Sequence, residues 1–107
     1  MHRLFTGLQP SGALHIGNFL GTLKQTAALC AENDGLVMIA DYHALTTLRE
    51  PRELRENISS VARDYLAIGL DPKKTIIFKQ SDISEHTELA WIFDCLVSVS
   101  FLELAHA

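Results

Sequence analysis

Positive charge is scarce in this chain: nine Lys and Arg stand against thirteen Asp and Glu over 107 residues, a net charge of −4. That balance excludes the cationic footprint by which free-standing nucleic-acid binders hold phosphates, so any RNA partner is held mostly by surface outside this segment. Cysteine is nearly missing as well. Cys30 and Cys95 are far apart and match neither a CxxC nor a metal-ligand spacing; the expectation is two buried thiols in a reducing, cytoplasmic compartment. No stretch approaches the roughly 20 apolar residues a membrane helix needs, and the polar Gln9-Pro-Ser-Gly12 turn leaves no room before it for a signal-peptide apolar region. The GxGxxG of dinucleotide folds and the GxxxxGK[ST] of phosphate-binding loops are both absent, which excludes those two chemistries. Internal repeats, low-complexity tracts and linkers are absent too.

What remains is 48% hydrophobic, enough to bury the core of one ordinary domain. Its apolar pattern alternates between strand-like runs and helical spacing, with turn residues at each change, which predicts an α/β fold. Arg3 to Thr6 reads as a first strand ending at Gly7. Ile16, Phe19, Leu20, Leu23, Ala27 and Cys30 follow at helical spacing, closed by Glu32-Asn-Asp-Gly35. Leu36 to Ala40 is an uninterrupted apolar run, as in a parallel strand covered on both faces. Pro51 suits the first turn of a second helix with Leu54, Ile58, Val61, Ala62, Tyr65 and Leu66 inward and Gly69 as its C-terminal cap. Thr75 to Lys79 reads as a third strand. Gln80 to Ser84 forms a loop, and a third helix runs from about Glu85 to the end, apolar over much of its circumference. Strand, helix, strand, helix, strand, helix is the first half of a Rossmann-like doubly wound sheet, three parallel strands with flanking helices. The final residues stop inside an amphipathic pattern, so the expectation is a truncated chain.

In such a fold, ligands sit beyond the carboxyl ends of the strands. Three segments meet there: Gly7 to Asn18, Asp41 to His43, and Gln80 to Ser84. The first places a glycine-rich turn directly before a helix, where backbone N–H groups and the helix N-terminus favour phosphate. His15 and Asn18, three residues apart, share one face of the first helical turn. The alternatives are plainer. Glycine, proline and serine populate turns everywhere; Asp41 and His43 also fit a turn leading into a helix; Gln80 and Ser81 fit helix capping as well as a pocket. His86 reads as structural, His2 and His106 have no assigned task, and Arg49, Arg52, Arg55 and Arg63 read as a solvated helix face.

His15-Ile-Gly-Asn18 resembles the HIGH motif of class I aminoacyl-tRNA synthetases. The longer Gly7-Leu-Gln-Pro-Ser-Gly-Ala-Leu-His-Ile-Gly-Asn18, with Asp41-Tyr-His-Ala44 and Phe78-Lys-Gln-Ser81, resembles the tryptophanyl branch of that family along essentially the whole chain. The resemblance implies an ATP site at Gln9, Pro10, Ser11, Gly17 and Asn18, with His15 and Asn18 as catalytic donors. It also implies an amino-acid pocket rimmed by Phe5, Gly7, His43 and Gln80. The reaction implied is attack of the carboxylate of L-tryptophan on the α-phosphorus of ATP, with Mg²⁺ carried on the triphosphate, and then transfer to tRNA(Trp). By the same resemblance the intact enzyme is a homodimer, and residues 1–107 are the N-terminal portion of its catalytic domain, without the KMSKS loop or the anticodon-binding domain. Two alternatives stay open: a HIGH-motif nucleotidylyltransferase, and a non-catalytic ATP-binding or oligomerisation segment.

Overall fold

β1 (Arg3–Leu8), β2 (Asp34–Ile39) and β3 (Thr75–Lys79) form one parallel sheet in sequence order. The register pairs Arg3 with Asp34 through Leu8 with Ile39, and Gly35 with Thr75 through Ile39 with Lys79. This is a computed structural model, and it describes residues 2–104. Between β1 and β2 lie α1 (Ile16–Asn18), a π-helical turn (Phe19–Leu23) and α2 (Lys24–Glu32). Between β2 and β3 lie α3 (Asp41–Ala44) and α4 (Pro51–Ala67); a 3-10 turn (Gln80–Asp82), α5 (Glu85–Leu96) and α6 (Val99–Glu103) follow. The α/β reading and the three parallel strands are therefore as the sequence predicts.

Two crossovers of the same hand put α2 and α4 on one side of the sheet. Val37 and Ile39 of β2 meet Leu23 and Cys30 from the first connection and Val61 and Tyr65 from α4 in a single buried cluster, with Leu4, Leu8 and Ile77 packed against it. Gly35 belongs to this side, and a Cβ there would stand 2.7 Å from the Cys30 sulfur, so the glycine lets α2 close on the sheet. The opposite side carries Phe5, Leu36, Met38, Ile76 and Phe78 by strand alternation and register. No described helix covers it. The expectation that β2 is covered on both faces thus holds for one face, because α5, the next helix along the chain, buries no residue.

Several boundaries shift for local reasons. β1 continues past Thr6 through Gly7 and Leu8. Gly7 is not a stop: its missing Cβ would lie 3.0 Å from the Met38 carbonyl, so the glycine permits close strand pairing. β2 begins at Asp34 and ends at Ile39, one residue before Ala40. The first helix keeps its expected end at Glu32 but changes phase at the π-helical turn, where the Lys24 N–H reaches back five residues to Phe19 O. Leu23, Thr26 and Cys30 therefore face the core while Ile16 stays 70% exposed. α4 follows the prediction from Pro51 at its first position to Gly69, whose φ of +97° is a conformation glycine adopts without strain. Leu66 is the exception at 52% exposed, since it lies about 100° around the helix from buried Tyr65. The third helix is broken: Val97 is extended (φ −104°, ψ 135°), and Ser98 starts α6 by accepting the Phe101 N–H. Residues 105–107 of that expected helix, His106 among them, lie outside the described residues. Cys30 is buried as expected, but Cys95 is exposed, because among the described residues nothing covers this part of α5.

Candidate functional site

Beyond Leu8 the chain turns at once. Pro10 is fully buried and anchors the loop, the Ser11 N–H donates to Gln9 O at 2.9 Å, and Gly12 takes a φ of +154° that L side chains rarely adopt. The loop delivers His15 in an extended conformation as the N-cap of α1. Its Nδ1 accepts the Gly17 N–H at 3.1 Å, while Asn18 Oδ1 accepts the His15 N–H at 3.0 Å. The two side chains thus close a reciprocal capping box on one another, satisfying backbone donors that a helix start leaves open. Each keeps one polar atom outside the box, Nε2 on His15 and Nδ2 on Asn18. Gly17 lies beneath the imidazole, where a Cβ would come within 2.9 Å of His15 Cε1, so the cap itself gives a reason for glycine at this position.

The ends of β2 and β3 are joined to the first loop by polar side chains. Gln9 Nε2 donates to His43 O at 3.3 Å, and the His43 N–H donates to Gln80 Oε1 at 3.3 Å. Gln80 is held again through its own carbonyl, 3.2 Å from His86 Nδ1 on the first turn of α5, which agrees with a structural task for that histidine. Beside them Asp41, only 7% exposed, accepts on Oδ1 from the Tyr42 and Ser81 N–H groups at 3.1 and 2.9 Å. Its Oδ2 accepts from Ser81 Oγ at 2.5 Å. Three hydrogen bonds replace the water this carboxylate loses on burial. At the last residue of β3, Lys79 pairs with Asp82 at 3.0 Å, and Asp82 also accepts the Lys79 N–H at 3.0 Å. That contact pushes the Lys79 ammonium above its ordinary value and holds the Asp82 carboxyl below its own.

The strand-end rule therefore brings together three residues of the expected site: Gln9, His43 and Gln80. Among the described residues no hydrogen bond ties this group to the His15–Asn18 cap. Phe5 and Gly7 lie on the open face of the sheet with Met38, Ser11 is exposed on the first loop, and Gly17 is exposed on α1. The tie between Asp41 and Ser81 is what sequence reasoning missed. The only signal for it was an acid directly after one strand and a hydroxyl two residues after the next. A groove of about 370 Å³ runs between α1 and α4, lined by Leu14, His15, Ile16, Phe19, Asp64 and Ile68. Among the described residues no group of three His, Cys, Asp or Glu is placed to hold a metal ion, and no helix is long and apolar enough to cross a membrane.

A capped, glycine-flanked turn after β1 and a polar cluster at the ends of β2 and β3 stand together at the carboxyl end of the parallel sheet, and the chain that builds them has a match. The family described as tRNA synthetases class I (W and Y) fits residues 1–105. The chain belongs to this family. Among relatives of this class I synthetase chain, the tryptophan–tRNA ligase of Fusobacterium nucleatum is 49% identical over 107 residues, all of this chain and 33% of that protein. That of Rhodopirellula baltica is 49% identical over 105 residues, 98% of this chain and 33% of its own length. The fold is similar to that of a tryptophanyl-tRNA synthetase from Campylobacter jejuni solved with ADP and tryptophan, with a TM-score of 0.89 at 40% identity over 98% of this chain and 33% of that one. The chain spans about a third of the length of the curated relatives it matches.

Proposed function

We propose that this chain supplies the nucleotide-binding half of a tryptophan–tRNA ligase site, and that residues 1–107 are the N-terminal portion of its catalytic domain. The observation that carries the reading is the convergence of Gln9, His43 and Gln80 at the carboxyl ends of three parallel strands, one loop away from the His15–Asn18 cap. The capping box fixes both side chains and still leaves His15 Nε2 and Asn18 Nδ2 able to donate, which fits an anionic triphosphate lying across the first loop. Gln9, Ser11 and Gly17 form the ATP side of the site, while Pro10, expected there as well, is fully buried and shapes the loop from beneath. Phe5, Gly7, His43 and Gln80 form the side that takes L-tryptophan, with the Phe5 ring offering an indole an aromatic contact.

The chemistry is nucleophilic displacement at phosphorus. A tryptophan carboxylate oxygen attacks the α-phosphorus of ATP, the bond from that phosphorus to the oxygen bridging it to the β-phosphate breaks, and pyrophosphate leaves. A hydroxyl of the 3′-terminal ribose of tRNA(Trp) then attacks the carbonyl carbon of the adenylate, loses its proton, and AMP leaves. Orientation of the reactants and neutralisation of phosphate charge are the tasks such a site performs. Mg²⁺ arrives with the triphosphate, since hard oxygen ligands on ATP and water suffice for it. A homodimer working in the cytoplasm completes the proposal; the exposed apolar residues of α5, which buries none of its own, support the dimer.

Tryptophan-dependent exchange between ATP and pyrophosphate tests the reading, run with tryptophan, tyrosine or no amino acid and with Asn18→Ala as control. Weak exchange or none, with ATP still bound in a calorimetric titration and bound less well by the control, is the expected result for a chain that carries half of the site. Exchange with tryptophan alone would mean that this half activates its amino acid unaided. Failure of the wild-type chain both to exchange and to bind ATP in a calorimetric titration would remove the proposal.

A further inference from the structure

Asp41 and Ser81 stand forty positions apart and belong to neither subsite named above. Asp41 is the one acidic residue among the described residues that is buried, and no Lys, Arg or His lies within ion-pair distance of it there. Burying a carboxylate without a cation is costly, and it persists where hydrogen bonds to the charged form offset the loss of water. Here those bonds come from the neighbouring Tyr42 N–H and from both donors of Ser81, its N–H and its hydroxyl. A backbone and a side-chain bond to the same residue fix Ser81 in position and in rotation. Gln80 is the residue immediately before it. His43 lies two residues after Asp41, so the carboxylate sets both partners of the Gln80–His43 hydrogen bond.

We propose that Asp41 is a positioning residue: through Ser81 it sets where Gln80 and His43 stand and so tunes affinity for the amino acid more than for the nucleotide. This rests on the assignment of Gln80 and His43 to the tryptophan pocket. Asp41 touches no substrate in this role. The nucleotide side is built on the first loop and the α1 cap, which share no hydrogen bond with Asp41 among the described residues. Among the described residues the nucleotide side meets this group through one hydrogen bond, Gln9 Nε2 on the His43 carbonyl at 3.3 Å, a neutral contact to backbone, so the coupling runs chiefly to the amino acid.

The test is an NMR titration of the full 107-residue chain with L-tryptophan and, separately, with ATP, following backbone amide shifts in the wild type, Ser81→Ala, Ser81→Thr and Asp41→Asn. Ser81→Ala removes the hydroxyl and keeps the backbone bond, so the fold has little reason to fail. The expected result is tryptophan affinity about tenfold weaker in Ser81→Ala, the scale of one lost bond to a charged group. The His43 amide shifts at the same time, Ser81→Thr restores the affinity, and ATP affinity stays within about twofold throughout. Asp41→Asn keeps an acceptor for the Ser81 N–H and a donor for its hydroxyl oxygen, so it falls between the two if position matters rather than charge. Tryptophan binding unchanged in Ser81→Ala overturns the proposal while leaving the pocket assignment standing. Equal loss of both ligands together with a lowered melting temperature also overturns it, as the tie would then serve the fold alone. A wild-type chain whose amides respond to ATP and not to tryptophan removes the pocket assignment, and the positioning role falls with it.

Discussion

Asn18 engages the backbone with its carbonyl oxygen and holds its amide nitrogen outside the cap. Those two halves can be separated by substitution. Asn18→Asp keeps an acceptor for the His15 N–H and places a negative charge near a helix N-terminus, where it is tolerated or welcome; it removes the donor and faces the triphosphate with like charge. Asn18→Ala loses the acceptor too. Thermal melting should show Asn18→Asp close to wild type and Asn18→Ala destabilised by about 1 kcal/mol. Calorimetry with ATP should rank them differently, with Asp weaker than Ala. The same order in both measurements would mean that the residue acts on ATP only by holding the helix start. Tyr65 offers a second residue-scale prediction. Its hydroxyl donates to Met38 O at 3.2 Å, and burial pushes its pKa above the ordinary 10.0. The folded value exceeds the unfolded one, so this contribution to stability is complete below about pH 10 and is lost as pH rises through the higher folded value. Urea unfolding should show the wild type weakening on the alkaline side more steeply than Tyr65→Phe. Near neutral pH the same variant should cost about 1 kcal/mol, the net worth of one buried hydrogen bond.

Elements differ in how far their own residues specify them. α4 carries all its signals locally: proline at its first position, an apolar face at helical spacing, and glycine just past its end. Its outline was accordingly readable, and Gly69→Ala should cost about 1–2 kcal/mol in denaturant unfolding through the positive φ alone. A change below about 0.3 kcal/mol would mean that the turn relaxes to accept the side chain. The first helical connection was readable in length but not in phase. A π-helical turn is a choice between hydrogen-bond partners one residue apart, and it is settled by what the two ends must reach, the His15–Asn18 cap on one side and the Cys30 contact with β2 on the other. The break at Val97–Ser98 was hidden for another reason: the apolar pattern continues across it, and only the Ser98 side chain accepting the Phe101 N–H distinguishes a cap from a helical serine. The site shows the same division. Gln9, His43 and Gln80 were legible because the strand-end rule needs only topology and residue type. The Asp41–Ser81 tie depends on burial and on a long-range pairing that no local pattern encodes.

At the scale of the whole molecule, the described residues leave two apolar surfaces in water. One is the sheet face of Phe5, Leu36, Met38, Ile76 and Phe78. The other is α5, where Leu89, Ile92, Phe93 and Leu96 recur at helical spacing and Leu96 is 77% exposed. Single exposed apolar residues are ordinary on a protein surface, but a contiguous seam at i, i+3, i+4 and i+7 is the pattern by which one helix docks on another. A net charge of −4 gives little repulsion to oppose association. Burying one such side chain is worth about 1.5–3 kcal/mol, so a pair of helices sharing this seam gains several contacts of that size. Light scattering on size-exclusion eluates should therefore give a mass that rises above the 11.9 kDa of one chain as concentration increases. Ile92→Asp combined with Leu96→Asp, two residues on one helical face, should return it to one chain's mass. If association survives that pair and yields instead to Ile76→Lys, the sheet face is the adhesive surface and the α5 seam is not. A mass of one chain at every concentration would count against both, and with them against the homodimer proposed above as far as these residues build it.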